Sequence, residues 1–282
     1  MNKLPIIDFS NLKPQTPTWD SVKIQVMKAL EEYGCFEAIF DEIPLNLRKS
    51  IIDGSKQVFD LPLQKKQRNK NNSPYHGYIG QYPTIPLYES LGIEDALSPG
   101  KIESFTNHMW SEGNPTFSKS VESFCGGLSE LDKTVRRMVL ESLGLEKYMD
   151  DHMDSTHCFV RFQKYDVPKS NETKIGLKSH TDKNIVTILY GNEVKGLEVL
   201  TKDGNWINAN PSLNSFIVMV ADSFHITVNK RESPPSQSVA GVRRDGERNG
   251  EKREYFLQAG RSRGMDKWAA AFSLSQSNDD RR

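Results

Sequence analysis

The spacing of apolar side chains changes near Met153 from a helical to a strand-like period, and this change constrains the fold more than any other feature. Before it, apolar residues recur every three or four positions, first from Val22 to Tyr33 and again from Phe117 to about Leu143. After it, short apolar runs cover residues 159–165, 185–190, 197–200, 206–208 and 215–220, separated by turn signals such as Asp203-Gly204. Helices followed by short antiparallel strands predict an α+β chain that ends in a β-sandwich or jelly roll.

The first half of the chain contains three predicted helices. Thr18 can cap the first helix, and Gly34 ends it. Residues 45–59 form a second amphipathic helix. The third runs from Phe117 to about Leu143, and its Gly126-Gly127 pair is either a weak spot or a point of close packing.

The charge and cysteine content of the chain limit which partners and compartment are expected. The chain has 37 Lys and Arg residues against 37 Asp and Glu, so its charge gives no reason to expect nucleic acid or an anionic membrane as partner. No apolar run approaches the roughly eighteen residues of a membrane span. Cys35, Cys125 and Cys158 are scattered and lack CxxC spacing, which predicts reduced thiols and a cytoplasmic protein.

The tripeptide His180-Thr181-Asp182 is the candidate metal site. On a strand, residues two apart point to the same face, so His180 and Asp182 can meet one metal ion. An imidazole with a carboxylate suits Fe(II), Mn(II) or Zn(II), and the spacing does not choose among them. Taken alone, such a tripeptide is also common among surface polar residues.

The surroundings of the tripeptide carry a resemblance to a known family. The motifs, in chain order, are Leu4-Pro5-Ile6-Ile7-Asp8-Phe9, Leu30-Glu31-Glu32-Tyr33-Gly34-Cys35-Phe36, Gly77-Tyr78-Ile79-Gly80-Gln81, Pro86-Leu87-Tyr88-Glu89-Ser90, Ser179-His180-Thr181-Asp182-Lys183, Gly196-Leu197-Glu198-Val199 and Asp203-Gly204-Asn205-Trp206-Ile207. Over residues 4–225 the chain resembles the plant 2-oxoglutarate/Fe(II)-dependent dioxygenases, in particular the AOP1-like (glucosinolate-type AOP) subgroup.

The resemblance implies a fold and a reaction. The fold would be a double-stranded β-helix, which is a distorted jelly roll, with an N-terminal helical lobe. Fe(II) would be held by His180, Asp182 and a second histidine, with 2-oxoglutarate as co-substrate and ascorbate in support. The reaction would oxidise a small plant metabolite. Tyr165 matches a family position near the co-substrate, although a tyrosine at the edge of the core is an equally good interpretation. The expected partner is a small-molecule substrate, with no nucleic acid and no membrane, and the expected state is a monomer.

The expected second histidine is missing from the downstream sequence. Counting from the Asn229 turn places that ligand at Gln237, and counting from Ser233-Pro234 places it at Ser236. His225 lies before the turn and is expected to be an ordinary histidine at a strand end.

The arginine that would hold 2-oxoglutarate is also without a clear match. Its candidates are Arg248, Arg253 and Arg261, and none of them is followed two residues later by the serine of the family's Arg-x-Ser motif. Charged, glycine-punctuated surroundings favour surface positions for Arg248 and Arg253.

These departures define the expected organisation and the competing functions. Residues 1–120 would form an N-terminal lobe, residues 121–225 the long helix and the β core, and residues 226–282 a divergent, partly disordered tail that leaves the C-terminal strands incomplete. One hypothesis is an active Fe(II)/2-oxoglutarate oxygenase. The others are a catalytically inactive relative that binds a small molecule or a partner, and a truncated gene product.

Overall fold

A computed structural model describes residues 3–73, 75–168, 175–192, 196–201, 203–209, 211–222, 239–243 and 254–262. The helices are α1 (Pro17–Tyr33), α2 (Leu45–Phe59), α3 (Leu63–Lys66), α4 (Lys101–Met109), α5 (Pro115–Ser142) and α6 (Met149–Asp154). The strands are β1 (Ile6–Asp8), β2 (Cys35–Ile39), β3 (Tyr88–Glu94), β4 (His157–Tyr165), β5 (Ile175–His180), β6 (Val186–Gly191), β7 (Leu197–Leu200), β8 (Trp206–Asn208), β9 (Ser215–Val220), β10 (Val239–Arg243) and β11 (Glu254–Ser262). The predicted α+β class is confirmed.

The strands form two sheets. The larger sheet has seven strands in the order β1-β2-β9-β6-β11-β4-β3, and the smaller has four in the order β5-β10-β7-β8. Strands β1 and β2 pair in parallel, and the other pairings in the described part of the chain are antiparallel. Antiparallel pairing of short strands is what the strand-like period after Met153 predicted.

Helix boundaries follow local capping chemistry. Helix α2 coincides with the predicted residues 45–59. Helix α1 ends as predicted at Gly34, whose φ of 70° lies in the left-handed region that glycine adopts easily. The predicted cap at Thr18 is wrong. Thr16 caps α1 by accepting a hydrogen bond from the Trp19 backbone N at 3.2 Å, because Pro17 has no N–H to satisfy and suits the first helical position.

One large apolar core joins the helices to the larger sheet. It extends from Ile7 of β1 through α1, α2 and α5 to Ala259 of β11. A second cluster joins the two sheets, with Leu189 and Ile217 from the larger sheet and Val199 and Ile207 from the smaller. All three cysteines are buried as free thiols. None of the described helices is both long and apolar enough to cross a bilayer.

The expectation that the C-terminal strands are incomplete is not confirmed, because the described residues beyond 225 include strands β10 and β11. Strand β10 pairs with β5 on one side and β7 on the other, and β11 lies between β4 and β6. Neither segment has a strong local signal, because glycine and charged residues interrupt the apolar alternation. Both strands are determined by pairing with strands that are far away in the sequence. The other residues of 226–282 lie outside the described ranges.

Candidate functional site

The two predicted metal ligands lie on different elements but come close together. His180 is the last residue of β5, and Asp182 follows it in the connection to β6, so the expectation that one strand carries both side chains is corrected. Nε2 of His180 lies 3.6 Å from Oδ1 of Asp182. Metal bonds of about 2.0–2.2 Å allow one ion to bridge such a separation.

A backbone hydrogen bond determines which nitrogen of His180 faces Asp182. Nδ1 lies 2.9 Å from the carbonyl oxygen of Lys178, and a carbonyl oxygen can only accept. Nδ1 therefore donates its N–H, and in the neutral imidazole the lone pair is on Nε2. The imidazole is 46% exposed, so this lone pair is accessible from outside the core.

The second oxygen of Asp182 is held by two side-chain donors. Thr187 donates its hydroxyl to Oδ2, and Nε2 of Gln258 donates to the same oxygen at 2.9 Å. Oδ1 remains on the side that faces His180. The arrangement presents one imidazole nitrogen and one carboxylate oxygen, which is a donor pair suited to a divalent transition metal.

A cavity in the wall of the β core brings these groups together. Its polar lining consists of Gln163, Tyr165, His180, Asp182, Thr187 and Gln258. Its apolar lining consists of Leu177, Leu189, Leu197, Met219, Val220 and Phe256. Within the described part of the chain no lysine or arginine lines this cavity. The apolar half suits a hydrophobic portion of a ligand, and the polar half suits hydrogen-bonding groups.

Tyr165, the predicted co-substrate contact, lies on the cavity wall. It is 1% exposed, and its ring packs against the rings of Tyr88 at 5.1 Å and Phe256 at 5.9 Å. Its hydroxyl donates to Oε1 of Gln163 at 3.5 Å. Tyr165 thus shares one cavity with His180 and Asp182.

The other candidate residues do not enter the described site. His225, Ser236, Gln237, Arg248 and Arg253 lie outside the described residues. Arg261 lies on β11, where its backbone pairs with Cys158 of β4. In the ranges that the structure describes, no three or more His, Cys, Asp and Glu residues are grouped closely enough to hold a metal ion.

The opposite face of β4 carries a buried network of charges. Lys164 lies between Gln163 and Tyr165, and its ammonium contacts Glu89. Lys66 Nζ lies 2.7 Å from Oε1 of Glu89, and the Tyr78 hydroxyl donates to that oxygen at 2.6 Å. The network joins β4 to α3 and β3 directly behind the cavity wall.

The network shifts the ionisation of its members. Burial by itself raises the pKa of Glu89, but hydrogen bonds from Lys164, Lys66 and Tyr78 outweigh burial and hold this pKa below its ordinary value. Burial by itself lowers the pKa of Lys164, but its hydrogen bond and attraction to Glu89 raise it above its ordinary value. The pair is therefore ionised at neutral pH.

Sequence reasoning did not find three polar side chains of the site, of which Thr187 and Gln258 hold Asp182. Gln163 is two residues before Tyr165 on β4 and so shares its face, which is a signal that was available. Thr187 is a fully buried polar residue on an otherwise apolar strand. Gln258 has no such signal, because only the pairing of β11 with β6 brings it to Asp182.

Comparisons with known proteins show what the chain is similar to. A family model described as "non-haem dioxygenase in morphine synthesis N-terminal" matches residues 4–94, and the model of the "2OG-Fe(II) oxygenase superfamily" matches residues 155–248. Over 245 residues, the chain is 47% identical to the probable 2-oxoglutarate-dependent dioxygenase AOP1.2 of Arabidopsis thaliana, covering 84% of this chain and 75% of the relative.

Two further similarities are to a second curated relative and to a solved structure. The chain is 32% identical over 324 residues to the probable inactive 2-oxoglutarate-dependent dioxygenase AOP2 of Arabidopsis thaliana, covering 84% of this chain and 80% of the relative. The solved 2-oxoglutarate complex of dioxygenase for auxin oxidation 1 from Arabidopsis thaliana gives a TM-score of 0.81 at 24% identity, covering 93% of this chain and 94% of that one. This structural likeness supports the predicted jelly roll.

Proposed function

The chain belongs to the plant 2-oxoglutarate/Fe(II)-dependent dioxygenases of the AOP1 type, and we propose that it oxidises a small plant secondary metabolite while 2-oxoglutarate is converted to succinate. The family uses Fe(II) and 2-oxoglutarate. The observation that carries the proposal for this chain is the pairing of His180 Nε2 with Asp182 Oδ1 at 3.6 Å on the cavity wall.

The residues present fit a metal ion with two protein donors. His180 supplies an imidazole nitrogen whose tautomer is determined by the carbonyl of Lys178. Asp182 supplies Oδ1, while Thr187 and Gln258 hold Oδ2. A bound Fe(II) would supply the oxidising chemistry of the family. The protein would orient the two donors, and the apolar side chains of the cavity would limit access of water.

The co-substrate would lie on the polar wall of the same cavity. We assign Tyr165 as a co-substrate contact, because it lies on the polar wall of the cavity and its ring is fixed by two aromatic neighbours. Gln163 adds an amide beside the Tyr165 hydroxyl. Neutral donors hold a carboxylate less strongly than a guanidinium does. Since no described lining residue is cationic, we expect 2-oxoglutarate to bind weakly unless a residue outside the described ranges contributes a charge.

A catalytically inactive binding protein is the second candidate. The sequence lacks the expected second histidine, and the described residues hold no group of three or more potential metal ligands of the His, Cys, Asp and Glu types. One relative, at 32% identity, is named probable inactive. An inactive chain would retain the cavity and bind a small molecule without turning over 2-oxoglutarate.

Succinate formation decides between the two candidates. The purified chain would be incubated with Fe(II), ascorbate and 2-oxoglutarate, with the Asp182→Ala variant as the matched control. The dioxygenase proposal predicts succinate from the wild-type chain and a loss of at least about tenfold in the variant. Equal, background-level succinate from both folded proteins with iron in excess would overturn it and favour the inactive relative.

A further inference from the structure

Two chains of hydrogen bonds converge on Oδ2 of Asp182. The first begins at Tyr165, whose hydroxyl donates to Oε1 of Gln163 at 3.5 Å. Nε2 of Gln163 donates to Oε1 of Gln258 at 2.6 Å, and Nε2 of Gln258 donates to Asp182 at 2.9 Å. Both the oxygen and the nitrogen of the Gln258 side-chain amide are thereby used, so the orientation of this amide is fixed.

The second chain reaches the same oxygen from the start of β6. Thr187 donates its hydroxyl to Oδ2, and Nδ2 of Asn184 donates to the Thr187 oxygen at 3.0 Å. Gly260 of β11 packs directly on the Asn184 amide, where a Cβ atom would collide with it. Thr187 is fully buried, so water does not compete for its hydroxyl.

These contacts determine which oxygen of the Asp182 carboxylate faces His180. A carboxylate that rotates freely presents either oxygen to a neighbour. Here two donors hold Oδ2, and Oδ1 is left 3.6 Å from Nε2 of His180. Partners that hold a ligand's far side orient it and are worth about ten- to a hundredfold in metal affinity.

We propose that Gln258 is a positioning residue for Asp182. Together with Thr187, the other donor to Oδ2, it turns the Asp182 carboxylate so that Oδ1 and the His180 imidazole form one divalent-metal site. This inference rests on the proposed metal-binding function. In it Gln258 is not a ligand, because its Oε1 accepts from Gln163 and its Nε2 points at Asp182. Among the described residues of this cavity, His180 and Asp182 are the two metal donors, so the site depends strongly on how the Asp182 carboxylate is turned.

Co(II) binding by the full-length chain tests the role of Gln258 without turnover. Co(II) would be titrated anaerobically and followed by visible absorption, with circular dichroism and thermal unfolding recorded for each variant. Gln258→Met removes the N–H donor at similar length. Gln163→Met leaves the hydrogen bond from Gln258 to Asp182 in place and removes only the donor to Oε1 of Gln258. It should therefore weaken Co(II) binding less than Gln258→Met does. Asp182→Ala is the reference for loss of a ligand.

The expected result is graded. Gln258→Met should weaken Co(II) binding about ten- to a hundredfold while the absorption band at saturation keeps its position. Unchanged affinity in folded Gln258→Met would overturn the proposal. A shifted band at saturation would also overturn it, because it would make Gln258 a ligand. If wild-type and Asp182→Ala bind Co(II) equally, the metal site itself fails, which is a distinct outcome.

Thr187 provides an independent pair of variants in case Gln258→Met does not fold. Thr187→Val removes the hydroxyl with almost no change of shape, and Thr187→Ser keeps it. Weaker Co(II) binding in Thr187→Val with recovery in Thr187→Ser is the expected result. Equal affinity in all three proteins would contradict the idea that donors to Oδ2 orient the carboxylate.

Discussion

Replacing Glu89 with glutamine should destabilise the protein more than any substitution of an exposed ion pair. The side chains of Lys66, Glu89 and Lys164 are only 8%, 9% and 9% exposed. Removing one partner of a buried ion pair costs about 3–5 kcal/mol, because the remaining charge stays buried without compensation. Lys164 keeps a contact with Asp166 at 3.3 Å, and Lys66 keeps the carbonyl of Phe59 at 3.0 Å. The expected loss of unfolding free energy is therefore at the lower end of this range, about 3 kcal/mol.

Denaturant and thermal unfolding measure this loss. A change of about 3 kcal/mol corresponds to a fall in Tm of roughly 6–12 °C for a chain of this size. Glu130→Gln is the control, because Glu130 lies 2.7 Å from Lys133 but the two side chains are 57% and 47% exposed. Such pairs contribute about 0–1 kcal/mol. A Glu89→Gln loss no larger than the Glu130→Gln loss would refute the view that burial makes the network costly to break.

The pH dependence of the same variant provides a second check. The folded pKa of Glu89 is below its ordinary value of 4.5, so its contribution is complete above that pH and disappears as the pH falls through the lower folded value. The folded pKa of Lys164 is above 10.5, so its contribution is complete below that pH and disappears as the pH rises through the higher folded value. The stability difference between wild type and Glu89→Gln should be largest between about pH 5 and pH 10. A stability difference between wild type and Glu89→Gln that grows on acidification below pH 4 would contradict the lowered pKa of Glu89.

Two further predictions concern neighbouring glycines and the missing ligand. Gly127→Ala should destabilise α5, because the new Cβ would lie 2.5 Å from Ile43 Cγ1. Gly126→Ala places its Cβ in open space and should stabilise the helix by about 0.5–1 kcal/mol. Chemical unfolding of both variants should show changes of opposite sign in the free energy of unfolding, and changes of equal sign would contradict the packing. Ala240→His should strengthen Fe(II) binding relative to Ala240→Leu, because residue 240 is the backbone partner of His180 in the pairing of β10 with β5. Calorimetric titration with Fe(II) under nitrogen checks this, and equal affinities would contradict it.

Local sequence signals predicted α1, α2 and α5, but not the shorter helices α3, α4 and α6. Amphipathic spacing gave α2 at its observed bounds, and Gly34 marked the end of α1. The choice of Thr18 over Thr16 as cap failed because two threonines flank Pro17, and the proline itself selects the first helical position. The Gly126-Gly127 pair could not be resolved from sequence, since only Ile43, far away in the chain, distinguishes the two positions.

The candidate site was predictable only in part for the same reason. His180 and Asp182 are separated by one residue in the sequence and lie within a family motif, so they could be named in advance. Gln258 reaches Asp182 from a position 76 residues away, through the pairing of β11 with β6. Strand partners at such separation are set by tertiary packing, and β11 lacks the regular alternation that would identify it.

Iron content after anaerobic loading tests the central claim most directly. The wild-type chain and Asp182→Ala would be saturated with Fe(II), passed through a desalting column and analysed for iron per chain. A site formed by His180 and Asp182 predicts about one iron per wild-type chain and almost none in the variant. Equal iron in the two proteins, with both folded, would contradict the assignment of this pair as the metal site.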